Sequence, residues 1–185
     1  MEISVVTSNR NKFDEISLVL VEYGITAIKV DKELDEIGNT LEERLLSKAR
    51  HAYSLVKKPL IVDDTGVFFS ALDNFPGPFA KKYFKELGYD GLLKKINGKS
   101  RRAYFKTLVC YIDGETEKTF EGVHHGRITD NVRDIVDDRP QFPYEKIFIS
   151  EGSDKTMSEL TLKQKIEFSH RAIAVRKFCE FFVKK

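Results

Sequence analysis

Two neighbouring carboxylates, a hydroxyl and a glycine, Asp63-Asp64-Thr65-Gly66, follow directly on the apolar run Leu60-Ile61-Val62. A buried strand delivers rigid side chains to its carboxyl end, and ligands of open α/β sheets bind just beyond such ends. Adjacent acids there suit a hard divalent cation: Gly66 allows close backbone approach, and carboxylate oxygens match Mg²⁺ held jointly with substrate phosphates. The same four residues also read as an Asx-type turn closing a strand.

Three further clusters carry possible chemistry. Thr7-Ser8-Asn9-Arg10-Asn11-Lys12, with Glu15 one turn on, combines hydroxyl and amide donors with a lysine in a first helical turn. Backbone N–H groups at a helix start attract anions, so this is a candidate phosphate grip. It also reads as a helix capped by Ser8 or Asn9 with a solvated Lys12. Lys48 falls on a later helix behind the acidic loop Asp35-Glu36-Ile37-Gly38-Asn39, where Glu36 gains interest as a second ligand for a metal at Asp64. Near the end, Lys165-Ile166-Glu167-Phe168-Ser169-His170-Arg171 joins two helices, Ser169 being a good N-cap. His170 and Arg171 at that helix start could grip an anion or a carbonyl-bearing base edge. His124-His125 cannot ligate one metal from a regular strand, because neighbours point to opposite faces. CxxC, GxSxG, GxGxxG and Walker patterns are absent.

The elements that must position these groups follow from periodicity. Strands are expected near Ile3 to Val6, Thr26 to Val30, Leu60 to Val62 and Val67 to Phe69. Lys12 to Glu22 carries Phe13, Ile16, Val19 and Leu20 at helical spacing, with Gly24 as a stop. Thr40 and Glu43 form a capping box opening a helix whose inner face is Leu45, Ala49, Ala52, Tyr53 and Val56. After Asn74-Phe75-Pro76-Gly77-Pro78, short helices run through Ile96. Ala103 to Ile112 and Lys118 to Val123 then make a hairpin across Asp113-Gly114. A polar loop from Asp130 to Gln141 precedes a strand at Ile147 to Ile149, and helices fill Leu160 to Phe168 and Arg171 to Phe182. The order reads as an α/β fold with mixed or parallel pairing.

A chain of 185 residues with 41% hydrophobic content and 14 Phe can bury a substantial core as one domain or two lobes sharing a core. It lacks an apolar run of membrane-spanning length and opens without a signal-like segment, so a soluble cytoplasmic protein is expected. Cys110 and Cys179 read as buried, reduced thiols. Thirty-one Lys and Arg against 29 Asp and Glu leave a formal charge of +2, so bulk charge marks no partner. Neither nucleic acid nor membrane is expected as one.

Taken together the segments resemble the inosine triphosphate pyrophosphatase, or HAM1, family over nearly the whole chain. The family's Thr/Ser-Gly-Asn-x-x-Lys-x-x-Glu appears as Thr7 to Glu15 with Ser8 in the glycine place, and its Asp-Ser/Thr-Gly segment as Asp63 to Gly66. Leu72, Pro76-Gly77, Tyr83, Gly122, Gly126, Ile128, Thr156-x-x-Glu159-Leu160, Lys165 and Ser169-His170-Arg171 follow in register. The resemblance implies an elongated mixed-sheet α/β fold, a single domain over 1–185 whose two lobes flank a nucleotide-binding cleft, usually in a homodimer. It implies hydrolysis of purine nucleoside triphosphates such as ITP, dITP, XTP and dXTP to monophosphate and pyrophosphate. Thr7, Ser8, Asn9 and Thr65 would line the substrate, and Lys12 and Lys48 would hold its phosphates. Glu36 and Asp64, with Asp63 a less certain third, would carry Mg²⁺, and Asp64 would serve as general base. Lys165, His170 and Arg171 would face the purine, and Phe142 and Tyr144 would stack on it.

One segment departs from the pattern. Where the family has Gly-Phe-Gly-Tyr-Asp-Pro-x-Phe, this chain reads Gln141-Phe142-Pro143-Tyr144-Glu145-Lys146-Ile147-Phe148. Pro143 removes an N–H and a glycine's freedom, and Glu145 is one methylene longer than Asp. The departure points to altered or relaxed base selection with the phosphate chemistry retained. A pyrophosphatase of the related Maf type and a nucleotide-binding protein without catalysis stand as rivals. The intact Lys12, Glu36, Lys48 and Asp64 speak against the second.

Overall fold

The computed structural model describes residues 1–133 and 142–185. Seven strands form one mixed sheet: β1 (Glu2–Val6), β2 (Thr26–Val30), β3 (Leu60–Phe69), β4 (Phe75–Gly77), β5 (Arg102–Ile112), β6 (Glu117–Ile128) and β7 (Phe148–Ser150). The order is β2-β1-β3-β5-β6-β7, with β4 also on β3. β1 runs parallel to β2 and β3, and the remaining pairs are antiparallel. Helices α1 (Arg10–Glu22), α2 (Leu41–Val56), α3 (Ala80–Ile96), α4 (Leu162–Ile166) and α5 (His170–Phe182) complete the architecture.

Strand alternation divides the core by face. Ile3, Val5, Ile61, Val109 and Tyr111 pack with α1 and α5, whereas Leu60, Val62, Leu108 and Cys110 pack with Leu41, Leu45, Ala49 and Ala52 of α2. A third cluster, including Val67, Phe69, Leu92, Ile96, Phe105, Tyr144 and Phe148, lies around α3. The expected capping box opens α2: Thr40 accepts from the Glu43 N–H at 3.1 Å, and the Glu43 carboxylate accepts from the Thr40 N–H at 3.1 Å. Asn9 caps α1, its side chain accepting from the Asn11 and Lys12 N–H groups. Cys110 and Cys179 are buried free thiols.

The acidic segment is not a turn. Every residue from Leu60 to Phe69 pairs with β5, so the two short strands expected on either side of Asp63-Gly66 are one continuous β3. The hydrogen-bond ladder offered by β5 overrides the local turn chemistry of Asp-Asp-Thr-Gly. Gly66 serves space rather than bending: a Cβ there would stand 2.8 Å from the Phe68 ring and 2.9 Å from the Gly77 carbonyl oxygen. The expected short helices before Ile96 are found as two helical segments within α3 that meet at a kink at Gly88, where φ is 60°. β6 extends five residues beyond the expected Val123 to Ile128. Residues 134–141 of the expected polar loop, Gln141 included, lie outside the described residues.

β1 pairs with β3 at Ser4–Leu60 and Val5–Ile61, and β4 takes up the same strand at Val67–Gly77. Between them, β3 presents Val62 to Gly66 with a strand partner on one side among the described residues. That interruption lies at the carboxyl end of β1, where the chain enters α1. The site is built there.

α5 is seated directly on β6. A Cβ at Gly122 would lie 2.0 Å from the His170 carbonyl oxygen and 2.7 Å from the Ala174 nitrogen, both backbone atoms that cannot yield cheaply. Gly122→Ala should therefore lift the start of α5 and cost at least about 1–3 kcal/mol. A melting temperature lower by roughly 2–12 °C is expected for a chain of this size. An unchanged melting curve would contradict this packing.

Candidate functional site

Asp63 and Asp64 leave β3 on opposite faces, as consecutive strand residues must. On the α5 side, the Asp63 carboxylate meets Lys12 Nζ and Arg171 Nε, both at 3.1 Å. The Arg171 guanidinium also donates to Glu15 and, at 3.1 Å, to the Thr65 hydroxyl, which shares a 2.6 Å hydrogen bond with Thr107. Burial alone would push the Asp63 acid up, but Lys12, Arg171 and Lys48 outweigh it and hold it well below the usual carboxylate range. Lys12 is shifted down, because its burial exceeds what Asp63 returns.

The α2 side is arranged differently. Lys48 Nζ stands 2.9 Å from Glu36 Oε1, 3.9 Å from Asp64 Oδ1 and 3.3 Å from the Asp63 carbonyl oxygen. That last bond satisfies a main-chain acceptor on the open stretch of β3. Arg44, one turn before Lys48, bonds the Glu36 carboxylate and carbonyl and reaches within 3.7 Å of Asp64 Oδ2. Asp64 Oδ1 accepts from the Thr65 N–H at 2.9 Å, while Oδ2 is buried without a hydrogen-bond partner. Burial raises the Asp64 acid, and Lys12 and Lys48 only partly oppose it. For Glu36, burial pushes up but Lys48 and Arg44 prevail, so its acid is lowered. A half-exposed carboxylate and a buried, under-bonded one thus converge across two cations.

At the far end, Lys165 Nζ lies 2.7 Å from both Glu15 Oε1 and Glu145 Oε1. Burial pushes Glu15 up, but Arg171 and Lys165 bring it down to about 2. Glu145 is raised by its burial, with Lys165 opposing, and its Oε2 has no hydrogen-bond partner. His170 stacks on Phe105 at 4.7 Å with its Nδ1 unpartnered, and burial followed by Arg171 drives its proton affinity far down. A buried imidazole nitrogen and a carboxylate oxygen at this end are thus without hydrogen-bond partners among the described residues.

The structure brings together Lys12, Glu36, Lys48, Asp63, Asp64 and Thr65, and places Lys165, His170, Arg171 and Glu145 along the same network. Two expectations change. Asp63, named as a possible third metal ligand, is engaged by Lys12 and Arg171 on the opposite sheet face from Glu36. Tyr144, named as a stacking residue, is fully buried with its hydroxyl bonded to the Ala80 carbonyl at 2.9 Å, so its ring packs the core. Phe142 is half-buried, 5.3 Å from the Tyr144 ring. Thr7, Ser8 and Asn9 form the turn into α1, where Thr7 accepts from the Asn9 N–H at 3.2 Å and Asn9 is committed to capping. Arg44 was missed by sequence reasoning; its only signal is its spacing of four residues before Lys48, which puts both on one helix face.

The chain matches the Ham1 family over residues 3–181. It belongs to that family. Among similar proteins, the dITP/XTP pyrophosphatase of Saccharolobus solfataricus is 39% identical over 183 residues, covering 98% of this chain and 93% of the relative. The dITP/XTP pyrophosphatase of Methanopyrus kandleri is 36% identical over 185 residues, covering 98% and 96%. The structure of the Staphylococcus aureus Ham1 protein superposes with a TM-score of 0.81 at 27% identity, covering 98% of both chains. The nucleoside-triphosphatase / dITP/XTP pyrophosphatase from Mycobacterium abscessus gives 0.69 at 27% identity, covering 96% and 97%.

In this Ham1-family chain, Asp63 is the buried carboxylate that pairs Lys12 with Arg171. Asp63→Asn leaves Lys12 beside a neutral amide and takes one of two carboxylates from Arg171, and breaking such buried pairs costs about 3–5 kcal/mol. Because the folded acid lies below its unfolded value, this stabilisation is full above the unfolded pKa of about 3.9 and fades as pH falls through the folded one. Urea denaturation at neutral pH should show the full deficit, and the difference between wild type and variant should shrink in strong acid. Equal midpoints at neutral pH would contradict the network.

Proposed function

We infer that this protein hydrolyses the anhydride between the α and β phosphates of non-standard purine nucleoside triphosphates, dITP and XTP foremost, releasing monophosphate and pyrophosphate. The observation that carries this is the convergence of Lys12, Lys48, Glu36 and Asp64 where β3 has no strand on one side among the described residues, in a chain related end to end to dITP/XTP pyrophosphatases.

The donor set fits Mg²⁺. Asp64 Oδ2 is a buried anionic oxygen lacking a hydrogen bond, and Glu36 is a second hard oxygen donor within reach of the same lysine. Among the described residues no group of three or more His, Cys, Asp or Glu forms a metal cage. One or two carboxylates completed by substrate phosphates and water is the pattern Mg²⁺ prefers. When bound, the ion would polarise the phosphoryl oxygens and neutralise developing charge.

The chain's own groups do the rest. Lys12 and Lys48 neutralise the phosphate chain, exchanging carboxylate partners for phosphate oxygens. Asp64, its acid raised by burial, takes the proton from the attacking water as general base. At the other end, Glu145 Oε2 is an acceptor suited to the N1–H of a 6-oxopurine, and Arg171 donates toward oxygen. Adenine, with an unprotonated N1 and an amino group, offers the opposite pattern. A single unit over 1–185 with two lobes about this cleft, a homodimeric assembly and cleansing of the cytoplasmic nucleotide pool belong to the same reading. No helix among the described residues is long and apolar enough to cross a membrane.

A second reading concerns base choice. Hypoxanthine, xanthine and guanine all carry O6 and N1–H, and Glu145 is held by Lys165 rather than by a partner selective among them. Relaxed selection within the 6-oxopurines follows. Comparable turnover of ITP and GTP would support it, and strong preference for ITP would refute it.

Purified protein with Mg²⁺ and a panel of nucleoside triphosphates should release pyrophosphate, not orthophosphate. Asp64→Asn should lower kcat roughly 100- to 10,000-fold. Activity needs the Asp64 carboxylate ionised, so the acid limb of kcat/KM should fall at a pH above the ordinary aspartate value of about 3.9. Orthophosphate release, or a fully active Asp64→Asn, would overturn the assignment.

A further inference from the structure

Arg44 stands where a divalent cation would have to act. Its guanidinium bonds the Glu36 carboxylate, donates from Nη1 to the Glu36 carbonyl at 3.0 Å, and directs Nε at Asp64 Oδ2 across 3.7 Å. The Arg44 side chain is 13% exposed and its face lies over the Phe79 ring at 5.4 Å. At the distance between them Nε and Oδ2 form no hydrogen bond, and neither atom has any other hydrogen-bond partner among the described residues. The fork is thus attached at the Glu36 end and only electrostatically held at the Asp64 end.

Two consequences follow from this geometry. The oxygen lone pairs a metal would use on Glu36 Oε2 and Asp64 Oδ2 are the ones Arg44 faces, so ion and guanidinium compete for one pair of carboxylates. The competition is reversible, because the Asp64 contact lacks a hydrogen bond and the Phe79 ring can carry the guanidinium face after release. A planar fork of this kind also matches a phosphate bidentately, giving the released side chain a destination on the incoming polyphosphate.

We propose that Arg44 is an internal stand-in for the divalent cation: it bridges Glu36 and Asp64 in the ligand-free protein and yields them to the ion as its fork passes to the substrate phosphates. The inference rests on the reading that Glu36 and Asp64 hold the metal. Arg44 then suppresses metal binding without nucleotide and makes the two ligands bind cooperatively, since whatever draws the fork to phosphate frees the carboxylates. In the ligand-free protein it acts through Glu36 and Asp64, and with substrate bound it contacts the phosphates.

The test measures Mn²⁺ bound to the nucleotide-free protein by electron paramagnetic resonance, with circular dichroism to verify folding. Arg44→Gln should bind Mn²⁺ more tightly than wild type, on the order of 5-fold or more. Arg44→Lys, which keeps the charge but loses the fork, should show a smaller tightening and serves if the first variant folds poorly. KM for dITP should rise in both variants. Unchanged or weaker Mn²⁺ binding in the folded variants would overturn the proposal. Glu36→Gln and Asp64→Asn separate the two levels: each should weaken Mn²⁺ binding in the wild-type background. If neither does, the metal reading fails, and this inference with it; if both do while Arg44→Gln binds like wild type, only this inference fails.

Discussion

A buried carboxylate shared by two cations from opposite ends of the chain holds the site together. Asp63 on β3 meets Lys12 from α1 and Arg171 from α5, and Arg171 carries the connection on to Glu15 and Thr65. Charges this far from water are tolerable only as a complete set, so the positions of β3, α1 and α5 are coupled electrostatically as well as by packing. Lys165 extends the set through Glu15 to Glu145. Lys12 at one end and Glu145 at the other thereby belong to one network. Its anchor also fixes the direction of Asp64, since strand alternation sends that carboxylate to the other face once Asp63 is pinned.

The sheet contributes an interruption. β1 leaves β3 after Val5–Ile61, and β4 rejoins it at Val67, so the stretch carrying the acids lacks a strand on that side. An uninterrupted ladder would have closed the space with main chain. Here the Asp63 carbonyl is met by Lys48, a side chain that can exchange partners when a phosphate arrives. The rigid β5 ladder on the opposite side keeps the acids from relaxing while those exchanges take place.

Several site atoms are left under-bonded by the fold: Asp64 Oδ2, Arg44 Nε, Glu145 Oε2 and His170 Nδ1. Buried polar atoms ordinarily find partners, and a group of exceptions along one cleft has a functional explanation more readily than a structural one. In the reading proposed above, a nucleoside triphosphate complex would supply each with a partner: a cation for Asp64, a phosphate for Arg44, base N–H donors for Glu145 and His170. Opposite charges close by leave Asp63 firmly ionised, whereas burial leaves Asp64 harder to ionise, although they are adjacent residues. Environment, rather than residue type, separates their roles.

The sequence alone determined much of the local structure, because the signals are local. Thr40 and Glu43 announced a capping box, Leu45, Ala49 and Ala52 announced the buried face of α2, and the apolar alternation located β1 and β2. Resemblance across ordered motifs also singled out Lys12, Glu36, Lys48, Asp64 and the Ser169-His170-Arg171 helix start as candidates. Tertiary structure decided what local chemistry left open. Asp-Asp-Thr-Gly reads as a turn until β5 supplies ladder bonds along its length, and Tyr144 reads as a stacking ring until Phe69, Phe84 and the Ala80 carbonyl enclose it. Arg44 carries no marked signal in the sequence, and only the tertiary structure brings Glu36 and Asp64 to it from two other segments. Periodicity and capping depend on neighbours a few residues away; ion pairing, burial and access depend on residues brought together from across the chain.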